Sequence, residues 1–477
     1  MSDATPLETR PDPGRTRLTA LIVATALFMQ NLDGTVVATA LPTMARAFGS
    51  DPLHMNVALT SYLLALAVFI PMSGWMADRF GTRTVFRAAI GVFTLGSILC
   101  GASTSLPLLV GARIVQGLGG AMMVPVGRLV LQRSVAKNEL VAAMAWLTVP
   151  ALVGPIVGPP VGGFLVNYAD WRWIFYINVP IGILGMFLVT RFVDDVREAR
   201  PARLDAMGAV LSGVSLACLM IGFETAGRGM LAPVWVGALI VVGVAGAGLY
   251  VRHAGQVADP LLDLRLFRIP TFLVSVTAGS LFRVGVGAVP FLLPLMLQLG
   301  FGLSALHSGL VTFASAIGAI AMKPAAQRAL RWLGFRGVLG WNGAFAAVLL
   351  GAMGLFRPSW PLAAIYAVLV VGGFLRSLQF TAFNAVAYAD IPRERMSAAT
   401  SFYSTLQQLS LTLGITVGAA TLEIATTMSG RVTPALADFQ LAFTVVAFFS
   451  LAATPFAFRL SPGAGDEMSG HRTRVRT

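Results

Sequence analysis

"LVGPIVGPPVGGFL", residues 152–165, sets four glycines and three prolines in a stretch without a single charge. In water such a run reads as a loop, because Gly and Pro are the poorest helix formers. Its flanks, "ELVAAMAWLTVPA" before and "FLV" at its end, are apolar and long enough to continue a helix. The contradiction disappears if the solvent is lipid, where Gly and Pro are tolerated in helices whose freed backbone groups are satisfied by neighbouring protein. Gly154, Gly158 and Gly162 recur every fourth residue and present a groove without side chains, while Pro155, Pro159 and Pro160 remove backbone donors and bend the helix. The segment is therefore expected to pack against another helix. The partner expected from this pattern is a span of the other half of the chain, giving a pivot and a seal. The bland alternative is a kinked packing helix with no mechanistic role.

Composition carries the same message across all 477 residues: 56% are hydrophobic and 12% charged, against roughly 25% charged in soluble domains. Apolar runs at 18–42, 56–77, 85–103, 107–131, 140–165, 173–190, 204–224, 233–250, 271–297, 306–326, 338–356, 361–387, 397–422 and 440–458 each approach the ~20 residues that cross a bilayer. The expected fold class is an all-α polytopic membrane protein of about fourteen spans. The polar start, residues 1–17, precedes a run too long for a signal peptide and without a small-residue cleavage site, which predicts an uncleaved first span. Cys100 and Cys218 fall inside spans and read as packing residues.

The net charge of +13 invites a nucleic-acid reading, but its distribution excludes one. Most Lys and Arg lie in the tails and in every second connection; the alternate connections hold only Arg46, Arg172, Arg228, Arg357 and Arg431. That asymmetry predicts cytoplasmic tails at both ends and an even number of spans. It leaves the lipid bilayer as the large partner and no role for nucleic acid.

The two halves echo each other. "GWMADRFGTRT" (74–84) follows span 2 and "QRALRWLGFRG" (327–337) follows span 10, with Gly81 and Arg83 superposing on Gly334 and Arg336. Parallel repeats of this kind point to two six-helix halves. The expected layout is an N-terminal tail (1–17), a first bundle (18–192), a basic loop (193–203), a two-helix insertion (204–250), a connection (251–270), a second bundle (271–460) and a C-terminal tail (461–477). Within the connection, "DPLLDLRLFRIP" (259–270) predicts a short amphipathic helix at the interface.

These stretches carry a family resemblance. "GWMADRFGTRT" resembles the loop signature of the major facilitator superfamily, and "RIVQGLGGAMMVP" (113–125) its span-4 signature. "LDGTVVATALP" (32–42), "GPIVGPPVGG" (154–163) and "WRWIFYINVPIG" (171–182) look like the fourteen-spanner drug:proton antiporters of the EmrB/QacA kind, most similar to the MdtD-type branch. The resemblance covers essentially the whole chain. It implies the major facilitator fold with two extra helices, and a bacterial inner-membrane exporter that exchanges protons for a small organic substrate, of the multidrug-resistance type. It also implies that Gly154, Pro155, Gly158, Pro159, Gly162 and Gly163 form the antiporter motif.

Individual residues then acquire candidate roles. Asp33 sits in span 1, where a carboxylate costs roughly 2.5–3.5 kcal/mol on insertion scales. Arg113 sits in span 4 at a depth that differs by only about 5 Å at 1.5 Å per residue, so the two can pair if the spans adjoin. Such a pair is either a proton-coupling device, in which Asp33 trades Arg113 for a proton, or a permanent structural ion pair. The span-4 signature adds Gln116, Gly117 and Gly120, whose glycines permit close helix approach. In the loop signature, Arg79 and Arg83 are topological anchors, and Gly74 and Gly81 allow a close approach and a turn. Asp78 is placed to cap a helix or pair with a basic residue, gating the cytoplasmic side. Arg283 and Arg376 lie deep in spans 9 and 12 without an obvious acidic partner and are candidates for the substrate cavity. They favour a second possibility, export of an anionic metabolite such as a carboxylate or its metal chelate. Arg128 and Lys323 lie near span ends and are expected to snorkel. No metal or cofactor is expected, since no His/Cys cluster or nucleotide loop occurs and the proton gradient would supply the energy. The expected working unit is a monomer. A non-transporting receptor or structural membrane protein is the remaining class, disfavoured by the short tails and the lack of a soluble sensor domain.

Overall fold

The structure is a computed structural model that describes residues 13–49, 55–135, 139–198, 203–226, 231–431 and 433–471. All regular structure among them is helical. The first bundle contains α1 (Pro13–Phe48), α2 (Asn56–Phe69), α3 (Ser73–Phe80), α4 (Thr82–Ala102), α5 (Leu106–Ser134), α6 (Leu140–Tyr168), α7 (Trp173–Tyr176) and α8 (Asn178–Phe192). An insertion of α9 (Ala206–Thr225) and α10 (Pro233–Ala254) follows. The second bundle contains α11 (Pro270–Gly287), α12 (Val289–Leu299), α13 (Ala305–Ala321), α14 (Lys323–Gly337), α15 (Gly343–Ala352), α16 (Leu362–Val386), α17 (Met396–Met428) and α18 (Leu436–Ala457), then the short α19 (Asp466–Ser469). Twelve helical segments are long and apolar enough to cross a membrane. The 29-residue α6 and the 17-residue α13 stand at the two remaining positions of the fourteen-span pattern. The chain is a multi-pass membrane protein.

Within the first bundle α1 packs on α6, and α5 on α2 and α4; in the second, α11 packs on α17 and α18, and α13 on α16. Two seams join the bundles: α17 against α3 and α5, and α6 against α13 and α16. The insertion lies beside α2 and α17; Ser215 Oγ donates to the Gly243 carbonyl and joins its two helices, and Thr416 Oγ1 of α17 donates to the Phe223 carbonyl and ties α9 to the second bundle, both at 2.6 Å. Its outer face shows Val234, Trp235, Val241 and Val244, the apolar surface that lipid requires.

Asp205 caps α9 through the Gly208 N–H at 2.8 Å and also meets His253 Nε2 at 2.8 Å and the Leu261 N–H at 3.3 Å. Partial burial alone would raise its pKa; the His253 and backbone hydrogen bonds outweigh that and hold the carboxyl below its ordinary value. This one side chain fastens both ends of the insertion to the connection that follows. The amphipathic helix expected over 259–270 is instead a single 3-10 turn, Leu264–Arg268. Pro270 opens α11 immediately afterwards, leaving no room for a separate helix before the span begins.

The repeat read from the two loops is present in the backbone. Gly81 (φ 93°) and Gly334 (φ 65°) both adopt the positive φ that side chains disfavour. Each turn is backed by the segment that leaves its bundle's last span. A Cβ at Gly81 would meet Asp195 and Arg197, and one at Gly334 would meet His471.

Candidate functional site

Asp33 is the most enclosed carboxylate of the first bundle among the described residues, 1% exposed. Its Oδ2 accepts from Arg113 Nη1 at 2.6 Å; its Oδ1 accepts from Gln116 Nε2 at 2.8 Å and Asn178 Nδ2 at 3.0 Å. Ser97 Oγ accepts from the same two amides at 2.8 and 3.2 Å. Arg113, itself fully buried, also donates Nε to the Ala58 carbonyl at 3.1 Å and lies 4.3 Å from the centre of the Tyr62 ring. Five helices thus converge on one charge pair. A buried pair is held this tightly only if its remaining lone pairs and protons are also met, and here two amides and a hydroxyl do most of that. One donor, Arg113 Nη2, finds no partner.

Helix approach makes this possible. A Cβ at Gly117 would come within 2.6 Å of Ala65 Cβ and 2.8 Å of the Tyr62 carbonyl, so α2 can carry Tyr62 to the arginine only past glycine. Gly120 plays the same part more loosely, facing the Tyr62 hydroxyl and Leu66.

The second cluster lies at the basic connection between α3 and α4. Asp78 pairs with Arg133 at 2.8 Å, and Arg133 also pairs with Glu198 at 3.1 Å. The other Asp78 oxygen accepts from the hydroxyl of Ser397, in the first turn of α17. Asp78 therefore both pairs with a base of its own bundle and places its charge at the N-terminal turn of a helix of the other. A Cβ at Gly74 would strike the Ser397 carbonyl at 2.6 Å, and Ser73 and Ser401 hydroxyls meet at 2.9 Å. This face of the molecule is closed. Arg79 is exposed and Arg83 half-buried, positions consistent with anchoring. Asp78→Asn removes an N-terminal charge contribution of about 1 kcal/mol, which is about fivefold in a two-state population. The expected result is faster labelling of a Ser401→Cys reporter by an impermeant maleimide from this side; unchanged labelling would remove Asp78 from the gate.

The span-5 groove is real but faces a different neighbour from the one expected. α6 runs as one helix through the Gly/Pro stretch. A Cβ at Gly154 would lie 3.0 Å from Asn31 Cβ, and one at Gly158 would lie 2.0 Å from Thr35 Oγ1. The glycine seam packs on α1 of the same bundle, one helical turn or less from Asp33. Contacts of α6 with α13 and α16 reach the other bundle separately. Gly162 is buried, whereas Gly163 faces open space and lies off the seam. The side chains of Pro155 and Pro159 lie outside the described residues.

The sequence model of the Major Facilitator Superfamily matches residues 23–415. The chain belongs to the major facilitator superfamily. Relatives named MdtD, a name attached to multidrug resistance, are 42% identical in Serratia proteamaculans over 83% of both chains. In Citrobacter koseri the identity is 39%, covering 85% of this chain and 86% of the relative. Salmonella typhimurium holds another, 39% identical with the same coverage. These matches place it in the MdtD-type branch. The crystal structure of the human organic anion transporter MFSD10 (TETRAN) superposes with a TM-score of 0.66, covering 94% of this chain and 100% of that one at 17% identity; at that identity the likeness is one of fold. As a superfamily member the chain is a membrane transporter, not an enzyme.

Within this superfamily fold the other buried bases fall at three places. Arg283 donates to the Tyr403 hydroxyl, and Arg376 Nη2 donates to Ser315 Oγ at 3.2 Å on a different helix. Arg128 does not snorkel: it is 4% exposed and reaches Ser404 Oγ of α17 at 3.4 Å. Lys323 Nζ sits 3.5 Å above the Trp146 ring of α6, a cation–π contact between bundles. Sequence reading missed the parts played by Asn178, Ser97, Arg133 and Tyr403. Asn178 stands inside the stretch "WRWIFYINVPIG", and a polar amide in an apolar span was the available signal.

Proposed function

We propose that this transporter is a proton-coupled exporter of small organic compounds working by alternating access, with Asp33 as the proton-carrying group. The observation that carries the reading is the Asp33–Arg113 pair, enclosed between α1 and α5 and pressed from behind by the glycine seam of α6. In the state described here the carboxylate is charge-paired. Protonation releases Arg113 from it and loosens α1 from α5, which couples proton arrival to a change in helix packing. The Asp78–Arg133–Ser397 cluster holds the basic face shut meanwhile. The arginines of that face support its assignment to the cytoplasm and with it the reading of both tails as cytoplasmic, and the bacterial relatives support a location in an inner membrane. No cofactor is needed: each elementary charge moved through 100 mV supplies about 2.3 kcal/mol. A monomer contains the whole apparatus.

Purified protein in liposomes, given a panel of neutral, cationic and anionic compounds under an imposed pH gradient, tests this. Substrate accumulation that appears with the gradient and collapses with a protonophore is expected. Transport indifferent to the gradient would reject proton coupling.

A further inference from the structure

The proton site occupies the outer part of α5, and the same helix carries another buried base about 22 Å further along, fifteen residues at 1.5 Å each. This is Arg128. From the second bundle Arg283 approaches the same spot: its Cζ lies 4.7 Å from the centre of the Tyr403 ring, and the Arg128 Cζ lies 5.9 Å from it. Two guanidinium groups from opposite bundles therefore share one phenol. Both are almost fully buried, and among the described residues neither forms an ion pair with a carboxylate. The Nε of each has no partner.

A lone buried cation is costly, and a like charge beside it makes matters worse. Arg113 shows how this chain meets the need when the counter-charge is its own: it supplies Asp33. Around Arg128 and Arg283 it supplies hydroxyls, those of Ser404, Tyr403 and Tyr388. The surroundings are otherwise aromatic. Phe380 lies 5.8 Å from the Arg283 Cζ, and the Tyr388 ring is 5.6 Å from that of Tyr403. Gly279 leaves the guanidinium its space, since a Cβ there would lie 2.7 Å from Arg283 Nη1.

We infer that Arg128 and Arg283, meeting at Tyr403 where the two bundles join, recognise the carboxylate of a small aromatic organic anion, the missing negative charge being the substrate's. This rests on the exporter reading and names its substrate class. Guanidinium forks bind carboxylates bidentately, and the surrounding rings offer stacking faces. Because one arginine belongs to each bundle, a bound anion draws the bundles together, and its departure leaves two like charges that favour separation. Substrate binding and the change of access are then one event.

The test measures equilibrium binding, which needs no proton gradient. Thermal unfolding midpoints of the purified full chain in detergent are recorded against sodium benzoate, benzamide and benzyltrimethylammonium chloride at constant ionic strength. Saturable stabilisation by benzoate alone is expected. Arg128→Gln and Arg283→Gln should each weaken the apparent benzoate affinity at least about tenfold, as loss of a charge-assisted contact does. Arg283→Lys, which keeps the charge and loses the fork, should fall in between and carries the test if a Gln variant does not fold. Equal stabilisation by benzamide, no response to benzoate, or wild-type affinity in the variants would overturn the inference. Benzoate binding is read without a pH gradient and substrate accumulation with one, so a failure of proton coupling and a failure of anion recognition give different results.

Discussion

Asp33→Asn is expected to abolish pH-gradient-driven accumulation in liposomes, down to the level of empty vesicles. Asn preserves size and can still accept from Gln116 and Asn178, which contact Asp33 Oδ1, but it cannot take up a proton or balance Arg113. Removing one partner of a buried ion pair costs about 3–5 kcal/mol, because the other charge is left uncompensated. The single variant should therefore also unfold at a lower temperature. Asp33→Asn with Arg113→Gln removes both charges, and much of that stability should return while coupling stays lost. The two measurements separate the mechanistic part of the pair from its structural part. If Asp33→Asn built a substrate gradient at the wild-type rate, the pair would be purely structural.

Gly158→Leu should inactivate transport almost completely, and for a reason only the packing reveals. The first added carbon would fall 2.0 Å from Thr35 Oγ1 and 2.8 Å from its Cβ. The branched side chain must drive α6 and α1 apart. Thr35 is two residues from Asp33, so the displacement is delivered to the ion pair, and overpacking of this kind costs typically 1–3 kcal/mol or more. Gly163→Leu is the internal comparison, since nothing lies within 4 Å of a Cβ there, and it should transport normally. Equal activity in both variants would show that the seam is not tight in the working protein. A lengthened distance between spin labels placed across the α6–α13 contact, with α1 unmoved, would instead restore the expectation of a seam between bundles.

Most of the fold was legible in the order of residues, because lipid imposes a simple rule. A span needs about twenty apolar residues, and most of the runs that meet this rule coincide with helices; the exception is α14, Lys323–Gly337, a helix where the sequence reads mostly as the loop after span 10. The repeat was legible in two glycines, and the positive φ of Gly81 and Gly334 is its backbone form. Asp33 and Arg113 were legible as a possible pair because depth in a membrane is a one-dimensional coordinate that counting residues supplies. The failures lie elsewhere. The sequence showed that span 5 has a bare face but not what covers it, because a helix of period 3.6 specifies which residues share a side and says nothing of the neighbour's azimuth. Arg128 was read as snorkelling from its distance to a span end, yet it turns inward to Ser404 and Tyr403. Nearness to a span end does not say which way a side chain turns.

Amino-acid order by itself determined the solvent, the helical class, the twofold repeat and the identity of the buried charges. Tertiary structure alone decided which helix stands beside which: that the glycines of α6 press on α1, that Asn178 and Ser97 complete the shell of Asp33, and that Arg128 and Arg283, far apart in the chain from Tyr403 and from each other, meet at its ring. The physical reason is that transfer into lipid is a property of each segment taken alone, whereas lateral packing between apolar helices has almost no hydrophobic driving force and is settled by shape and by the few polar groups that must find one another.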